Sequence, residues 1–273
     1  MKLVGDKFMG KAKMVTGRLV ALESALVAYS GGVDSAYLAW AARRALGERM
    51  LAVLADSPSL AESQREHAIR FAREFDIPLE IIRTAEFDNP AYIANAPDRC
   101  FHCKDELFGK LSALARARGF ATIAYGVNAD DVHDYRPGHR AAAEHGVISP
   151  LLDAGLTKAE IRQLAKEAGL PVWDRPASPC LSSRIPYGTP VTIQTVKTID
   201  HGEDALRTLG FRQFRVRHHG ELVRIEIAAD ELPRALDPQM AQILAEKFKA
   251  LGYQYVTLDM EGFRSGSLNE VLK

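Results

Sequence analysis

Short apolar runs alternate with helical patterns along the first half of the chain. The run Ala25–Tyr29 is followed by a turn and by a helical pattern over Val33–Leu46, and similar alternations come after it. Strands that alternate with helices predict βαβ units and an α/β fold, a parallel sheet with helices on both faces. Ligands bind at the carboxyl ends of such strands. The other predicted strands are Met50–Ala55, Leu79–Ile82, Ala121–Tyr125 and Val147–Ile148, and the other predicted helices are Leu60–Phe75 and Cys103–Arg118.

The pattern changes character near residue 170. Thr157 and Glu160 have the spacing of a capping box and predict a helix that runs to Ala168. Residues 170–190 contain five prolines, which predict an irregular segment and a domain boundary. The remainder predicts a smaller α/β domain. Its predicted elements are helix Ile199–Leu209, strands Gln213–Arg217 and Leu222–Ile227, helix Pro238–Leu251 and strand Tyr253–Leu258.

Composition excludes several classes of protein. Basic and acidic residues balance at 35 each, so no overall field favours nucleic acid. The N-terminus lacks the apolar core of a signal peptide, and no apolar stretch has the length of a membrane span. We therefore expect a cytoplasmic protein that binds no membrane. Three cysteines argue against a disulfide framework and favour metal or thiol chemistry.

Residues 30–35, Ser-Gly-Gly-Val-Asp-Ser, join the first predicted strand to its helix. Two adjacent glycines let the backbone approach a ligand closely, and a helix start presents free N–H groups to an anion. The segment therefore predicts a phosphate cradle, although it lacks the Walker and dinucleotide-binding signatures. It resembles the loop of the ATP pyrophosphatases. That resemblance implies ATP binding by Ser30, Gly31, Gly32, Asp34 and Ser35.

More polar residues follow two other predicted strands. Those nearest the strand ends extend the predicted nucleotide site, and the carboxylates beyond them are hard ligands that suit Mg²⁺. Aspartate is also common in solvated turns, while an arginine there offers a fork for a carboxylate or phosphate. These residues are Asp56 and Ser57 after the second strand, Gly126 after the fourth, and Asp130, Asp131, Asp134 and Arg136 beyond it.

The cysteines fall in two motifs. Cys100 and Cys103 form a C-x-x-C at a predicted helix start, a spacing shared by redox pairs, zinc sites and iron–sulfur ligands. Zinc would need a histidine such as His102, because the chain has only three cysteines. Cys180 lies in a loop that also contains Arg184, and cationic neighbours favour a thiolate. Cys180 is therefore more typical of a reactive or ligating cysteine than of a packed one.

Arg215 and Arg217 are two residues apart on a predicted strand and share one of its faces. Two guanidinium forks side by side bind phosphate well. Such pairs more commonly line the solvent face of a sheet, and from the residues alone we favour that interpretation.

Several motifs together resemble the LarE family of ATP-dependent sulfur transferases. The resemblance covers nearly the full chain and implies that ATP adenylates the carboxylates of pyridinium-3,5-biscarboxylic acid mononucleotide. Sulfur then displaces AMP, giving the thiocarboxylates of the nickel-pincer cofactor of lactate racemase. The motifs are SGGVDS at 30–35, ADSPS at 55–59, NADDVHDYRPG at 128–138, SPCLSSRIPYG at 178–188, FRVRHHG at 214–220 and EGFRSGS at 261–267.

The resemblance also implies residue and domain roles. Cys180 would deliver sulfur, and Arg215 and Arg217 would hold the substrate phosphate, which reverses the interpretation given above. The implied domains are an ATP pyrophosphatase domain over residues 1–170, a catalytic cysteine loop over 171–190, and a substrate-binding and oligomerisation domain over 191–273. A homo-oligomer, up to a hexamer, is expected. The other implied substrate-site residues are Asp130, Asp131, Asp134, Arg136, Arg184 and Glu203.

Two branches of the family differ in their source of sulfur. In one, the cysteine gives up its own sulfur and becomes dehydroalanine. In the other, a 4Fe–4S cluster held by three cysteines carries an extra sulfide. Because all the cysteines of this chain lie in the two motifs, we expect the cluster branch, with Cys100, Cys103 and Cys180 as ligands and an external sulfide donor.

Three other interpretations stay open. A tRNA-thiolating ATP pyrophosphatase is disfavoured by the neutral net charge and by the lack of an RNA-binding module. An ATP-binding regulatory module would need neither the carboxylate loop nor the reactive cysteine. An amide synthetase that adenylates a carboxylate would need no cysteine.

Overall fold

The computed structural model describes residues 2–133 and 137–264, and the chain divides into two compact units. The first unit comprises residues 1–57, 64–86 and 98–178, and the second comprises residues 58–63, 87–97 and 179–273. Two short segments from the N-terminal half therefore belong to the second unit.

The first unit is built on a parallel sheet with the strand order β3-β2-β1-β4. The central strand β1 pairs with β2 from Ala25 opposite Met50 and with β4 from Ala25 opposite Thr122. Since all strands run the same way, the loops after β1, β2 and β4 leave the same edge of the sheet. The strands are β1 Ala25–Ala28, β2 Met50–Asp56, β3 Leu79–Arg83 and β4 Thr122–Tyr125.

Helices cover this sheet. Every residue of β1 is buried, as expected for a strand that is covered on both faces. On one face, Phe108 and Leu111 of α5 pack with Leu26 and Ile123 of the strands. The helices that begin before residue 178 are α1 Lys2–Val20, α2 Val33–Leu46, α3 Glu62–Glu74, α4 Pro90–Ile93, α5 Arg99–Arg118, α6 Gly138–Glu144, α7 Pro150–Asp153 and α8 Lys158–Glu167.

The second unit contains a smaller mixed sheet with the order β5-β6-β7. Strands β5 and β6 form an antiparallel hairpin in which Arg215 lies opposite Glu226 and Arg217 opposite Arg224, and β7 runs parallel to β6. Helix α9 packs against β5. The elements are α9 Ile193–Thr208, β5 Phe214–His219, β6 Leu222–Ile227, α10 Leu232–Ala235, α11 Pro238–Ala250 and β7 Tyr255–Leu258.

The predicted α/β fold with a smaller C-terminal α/β region is confirmed. The capping box at Thr157 and Glu160 is present, and the proline-rich segment contains only 3-10 turns at Pro171–Asp174 and Leu181–Arg184. The predicted strand at Val147–Ile148 is reduced to a single bridge between Ile148 and Ala124. Helix α1 was not predicted. In the part of the chain that the structure describes, no helix combines the length and apolarity needed to cross a membrane.

Candidate functional site

The glycine loop after β1 has the geometry of a tight anion cradle. Gly31 has a φ of +72°, and a Cβ on it would lie 2.7 Å from the Cβ of Ala68, so only glycine fits there. Ser30 and Ser35 brace the loop, because the Ser30 N–H donates to Ser35 Oγ at 3.1 Å and Ser35 Oγ donates to the carbonyl of Gly32 at 3.1 Å. Helix α2 begins directly after Gly32, so its first N–H groups point into the loop.

Asp34 is the charged centre of this loop. Its side chain is 13% exposed, and Oδ2 accepts hydrogen bonds from Lys158 Nζ at 2.7 Å and from Asn128 Nδ2 at 3.1 Å. The other oxygen, Oδ1, is buried and has no hydrogen-bond partner among the described residues. A buried carboxylate oxygen without a partner is costly, and a bound cation would relieve that cost.

The loop after β4 closes against the start of α2. A Cβ on Gly126 would lie 2.7 Å from the backbone nitrogen of Ser35, so this position requires glycine. Asp131 Oδ2 accepts the N–H of Asn128 at 3.1 Å, and Asp130 Oδ2 accepts the N–H of Lys158 at 2.8 Å. Both aspartates therefore fix backbone around Asp34, Asp131 in their own loop and Asp130 at the start of α8.

The end of β2 carries a second polar group. Asp56 forms an ion pair with Arg65 at 3.4 Å, and the hydroxyl of Ser57 donates to Glu86 Oε1. Glu86 is 1% exposed, and its Oε2 has no hydrogen-bond partner among the described residues. Asp56 and Ser57 lie at the predicted edge of the sheet, where β2 ends.

The C-x-x-C motif lies in the first turn of α5. Cys100 is exposed and Cys103 is half-buried, and a spacing of three places them on the same face of the helix. His102 forms an ion pair with Asp98 at 3.5 Å. Over residues 2–133 and 137–264, no group of three or more His, Cys, Asp or Glu side chains is arranged to hold a metal ion. This conformation therefore does not fit a preformed iron–sulfur or zinc site.

Cys180 lies in the second unit, on a loop held by Arg184. The thiol is free and half-buried. Arg184 is 1% exposed, and its Nη1 donates to the carbonyl oxygens of Pro179 at 2.8 Å and Cys180 at 3.2 Å. The opposite edge of the guanidinium forks the carboxylate of Glu203 at 2.7 and 3.1 Å. Arg184 therefore ties the backbone of the cysteine loop to helix α9.

Arg217 forms a second buried ion pair beside the first. Its guanidinium forks Glu226 on the neighbouring strand at 2.9 and 2.8 Å, and its Nη1 donates to the carbonyl of Ser183 at 3.0 Å. Arg215 stacks on the ring of Phe263 at 4.7 Å. Burial, aided by the charges of Arg184 and Arg217, lowers the pKa of Arg215 to about 10.

Placing Arg215 and Arg217 on the solvent face of a sheet, as the residues alone favour, is wrong. Arg215 is 8% exposed and Arg217 is 5% exposed, because β6 and α9 pack around β5. Buried arginines need partners or ligands, so their burial supports the role that the family resemblance implies. The predicted site residues Asp134 and Arg136 lie outside the described residues.

Sequence reasoning missed Lys158, Asn128 and Glu226. Lys158 is the first residue of α8, where a cation opposes the helix dipole, and that unfavourable placement was the available signal. Glu226 could have been found from the hairpin, since its two-residue turn fixes which residues of β5 and β6 face each other.

Comparisons with known proteins give a consistent picture. The NAD synthase family model matches residues 15–132. A protein of Synechocystis described as uncharacterised is 44% identical over 92% of this chain and 94% of its own length. Pyridinium-3,5-bisthiocarboxylic acid mononucleotide synthase of Lactiplantibacillus plantarum is 34% identical over 96% of this chain and 94% of its own length. A GMP synthase polypeptide of Pyrococcus furiosus is 29% identical over 62% of this chain and 57% of its own length.

Proposed function

Because the chain belongs to the LarE family, that of the Lactiplantibacillus plantarum synthase, we propose that it uses ATP to transfer sulfur to pyridinium-3,5-biscarboxylic acid mononucleotide. The product would be the bisthiocarboxylic acid mononucleotide of nickel-pincer cofactor synthesis. The observation that carries this proposal is the similarity over 96% of the chain, which includes both the glycine loop and the cysteine loop.

The first unit would supply the energy of the reaction. The N–H groups at the start of α2, with Ser30 and Ser35, are placed to bind the phosphates of ATP. Asp34 Oδ1, which has no hydrogen-bond partner among the described residues, fits a ligand of the accompanying Mg²⁺. Mg²⁺ would neutralise charge on the phosphates when the substrate carboxylate attacks the α-phosphorus and pyrophosphate leaves. Lys158 Nζ, 2.7 Å from Asp34, would be freed to contact a phosphate.

The second unit would recognise the substrate phosphate. Its fully buried charged side chains are three arginines and two glutamates among the described residues, so this cluster carries a net positive charge. Arg215 and Arg217 are the forks that we propose for the phosphate monoester. Glu203 and Arg184 support this site from α9 and the cysteine loop.

Cys180 is the proposed sulfur carrier. In the sacrificial route, its thiolate attacks the acyl-adenylate carbon, and the C–O bond to AMP breaks. A base then removes the Cα proton of Cys180, and the Cβ–Sγ bond breaks to leave dehydroalanine and a thiocarboxylate. The 4Fe–4S cluster stays a prediction, because no metal-holding group exists among the described residues, and no step is derived through it.

A turnover experiment tests the proposal and separates the two routes. Protein purified without oxygen is assayed for iron and sulfide and then incubated with substrate, Mg²⁺ and ATP, with and without added sulfide. We expect substrate-dependent release of AMP and pyrophosphate and formation of thiocarboxylate. Several turnovers with bound iron support the cluster, whereas one turnover with dehydroalanine at 180 supports the sacrificial route. Absence of substrate-dependent pyrophosphate release overturns the proposal.

Asp34→Asn is expected to lower the rate of substrate-dependent pyrophosphate release by about 100-fold, the cost typical of losing one preorganised electrostatic contact. The variant removes the proposed Mg²⁺ ligand and leaves Lys158 without its carboxylate partner. The measurement is pyrophosphate release as a function of Mg²⁺ and ATP concentration.

The matched control for Asp34→Asn is Asp153→Asn. Asp153 is 41% exposed and forms only a surface ion pair with Arg18 at 3.2 Å, so its loss should change neither rate nor Mg²⁺ dependence. An Asp34→Asn variant that folds and keeps the wild-type rate would show that Asp34 has no part in the nucleotide site. The homo-oligomer, the cytoplasmic location and the separate domain roles stay predictions.

A further inference from the structure

The backbone of the cysteine loop is gathered on one arginine. Nη1 of Arg184 lies within hydrogen-bond distance of Pro179 O at 2.8 Å, Cys180 O at 3.2 Å and Ser183 Oγ at 2.8 Å. Its Nε and Nη2 are bound to Glu203. Arg184 is thus engaged on both edges by the protein itself, and its contacts are with the loop rather than with open space.

Ser183 is shared between this arginine and the proposed phosphate site. The Ser183 hydroxyl donates to Cys180 O at 2.7 Å and accepts from Arg184. Its carbonyl accepts from Arg217 Nη1 at 3.0 Å. A continuous chain of hydrogen bonds therefore runs from Arg217 through Ser183 to the backbone of Cys180, with Arg184 bound along its length.

The charges of this cluster make it responsive to an anion. Arg184, Arg215 and Arg217 face only Glu203 and Glu226 as fully buried carboxylates among the described residues. Asp200 is half-buried near Glu203, and Arg224 contacts Glu226 at 3.2 Å from a more exposed position. An anion at Arg215 and Arg217 would balance the buried charge and strengthen the geometry of the remaining contacts.

We propose that Arg184 is a positioning residue that couples occupancy of the anion site at Arg215 and Arg217 to the conformation of the Cys180 loop. The inference rests on the proposed function only for the identity of the anion, a phosphate monoester. With the anion bound, Arg217 and Arg184 hold Ser183 and the Cys180 carbonyl in one arrangement. Without it, the like charges of the arginines loosen that arrangement. Sulfur transfer is thereby coupled to substrate binding.

The test measures modification of Cys180 by iodoacetamide in the full chain, followed by peptide mass spectrometry that separates Cys180 from the other cysteines. Inorganic phosphate is the probe, and its binding is measured independently by calorimetry. We expect phosphate to slow modification of Cys180 by about threefold or more in the wild type, because the loop becomes ordered and the local positive potential falls. Hydrogen exchange of a peptide that covers residues 179–185 should slow in parallel.

Arg184→Lys is the decisive variant. Lysine keeps the charge but lacks the planar fork that binds Glu203 and the loop together, so phosphate should still bind while Cys180 no longer responds. Arg212→Gln, at an exposed position of the same unit, should respond as the wild type does. Arg215→Gln should lose both phosphate binding and the response.

Three results would overturn the coupling. Phosphate that binds the wild type without changing Cys180 would show that the loop is independent of the anion site. An unchanged response in Arg184→Lys would show that charge alone, and not the fork, carries the effect. Absence of phosphate binding to the wild type, or binding that Arg215→Gln leaves intact, would remove the proposed anion site itself; only this third outcome also counts against the proposed function.

Discussion

Cys180→Ser is expected to abolish thiocarboxylate formation, with a loss of at least about a thousand-fold, as for other covalent catalysts without their nucleophile. Serine has no sulfur to give and is a weak nucleophile without an activating base. The loop should keep its conformation, because Arg184 and Ser183 bind the carbonyl of residue 180 and not its side chain. Substrate-dependent pyrophosphate release should therefore persist in this variant.

The measurement is product mass together with AMP and pyrophosphate release. Cys100→Ser and Cys103→Ser are the matched controls. They should make product normally if Cys180 alone gives up its sulfur, and should fail as completely as Cys180→Ser if a three-cysteine cluster carries it. Wild-type product formation by Cys180→Ser would show that Cys180 carries no sulfur.

Glu203→Gln is expected to lower the free energy of unfolding by about 3–5 kcal/mol, the usual cost of leaving one member of a buried ion pair uncompensated. Glu203 is 4% exposed and is the carboxylate that Arg184 forks. Without it, a buried guanidinium keeps its charge while losing its counter-ion. Thermal or denaturant unfolding measures the effect, and a fall of roughly 10 °C in Tm is expected.

Asp204→Asn is the matched control, since Asp204 is the next residue of the same helix. Its side chain is 67% exposed, and its ion pair with Arg207 lies at the surface, where such pairs contribute about 0–1 kcal/mol. Equal stability losses in the two variants would contradict the structural role of the buried pair.

The effect of Glu203→Gln should also depend on pH. Burial disfavours the ionised form of Glu203, but attraction to Arg184 outweighs it and holds the pKa of the carboxyl below its usual value. A depressed pKa in the folded state gives stability that is fully present above the usual value and is lost as pH falls through the depressed one. The difference between wild type and variant should therefore be constant near neutral pH and shrink below about pH 4. An equal penalty at both ends would contradict this assignment.

Much of the fold followed from local rules. Helix α2 begins at Val33 and ends at Leu46 as predicted, because a glycine pair, a run of alanines and a terminal glycine set its limits. The glycine loop lies at the carboxyl end of β1, as the parallel topology requires. Helix α1 was missed, although it spans 19 residues, because its apolar positions are sparse and mixed with glycines and charges.

The sequence by itself determined the anion cradle, the parallel sheet and the two cysteine motifs, since each depends on residues close together in the chain. Tertiary structure decided which charges are buried together. It buried Arg215 and Arg217 against Glu226 and bound Arg184 to Glu203, and it brought Lys158 to Asp34 across 124 residues. Ion pairing depends on distance and burial in three dimensions, and neither can be read from residue type and spacing along a single chain.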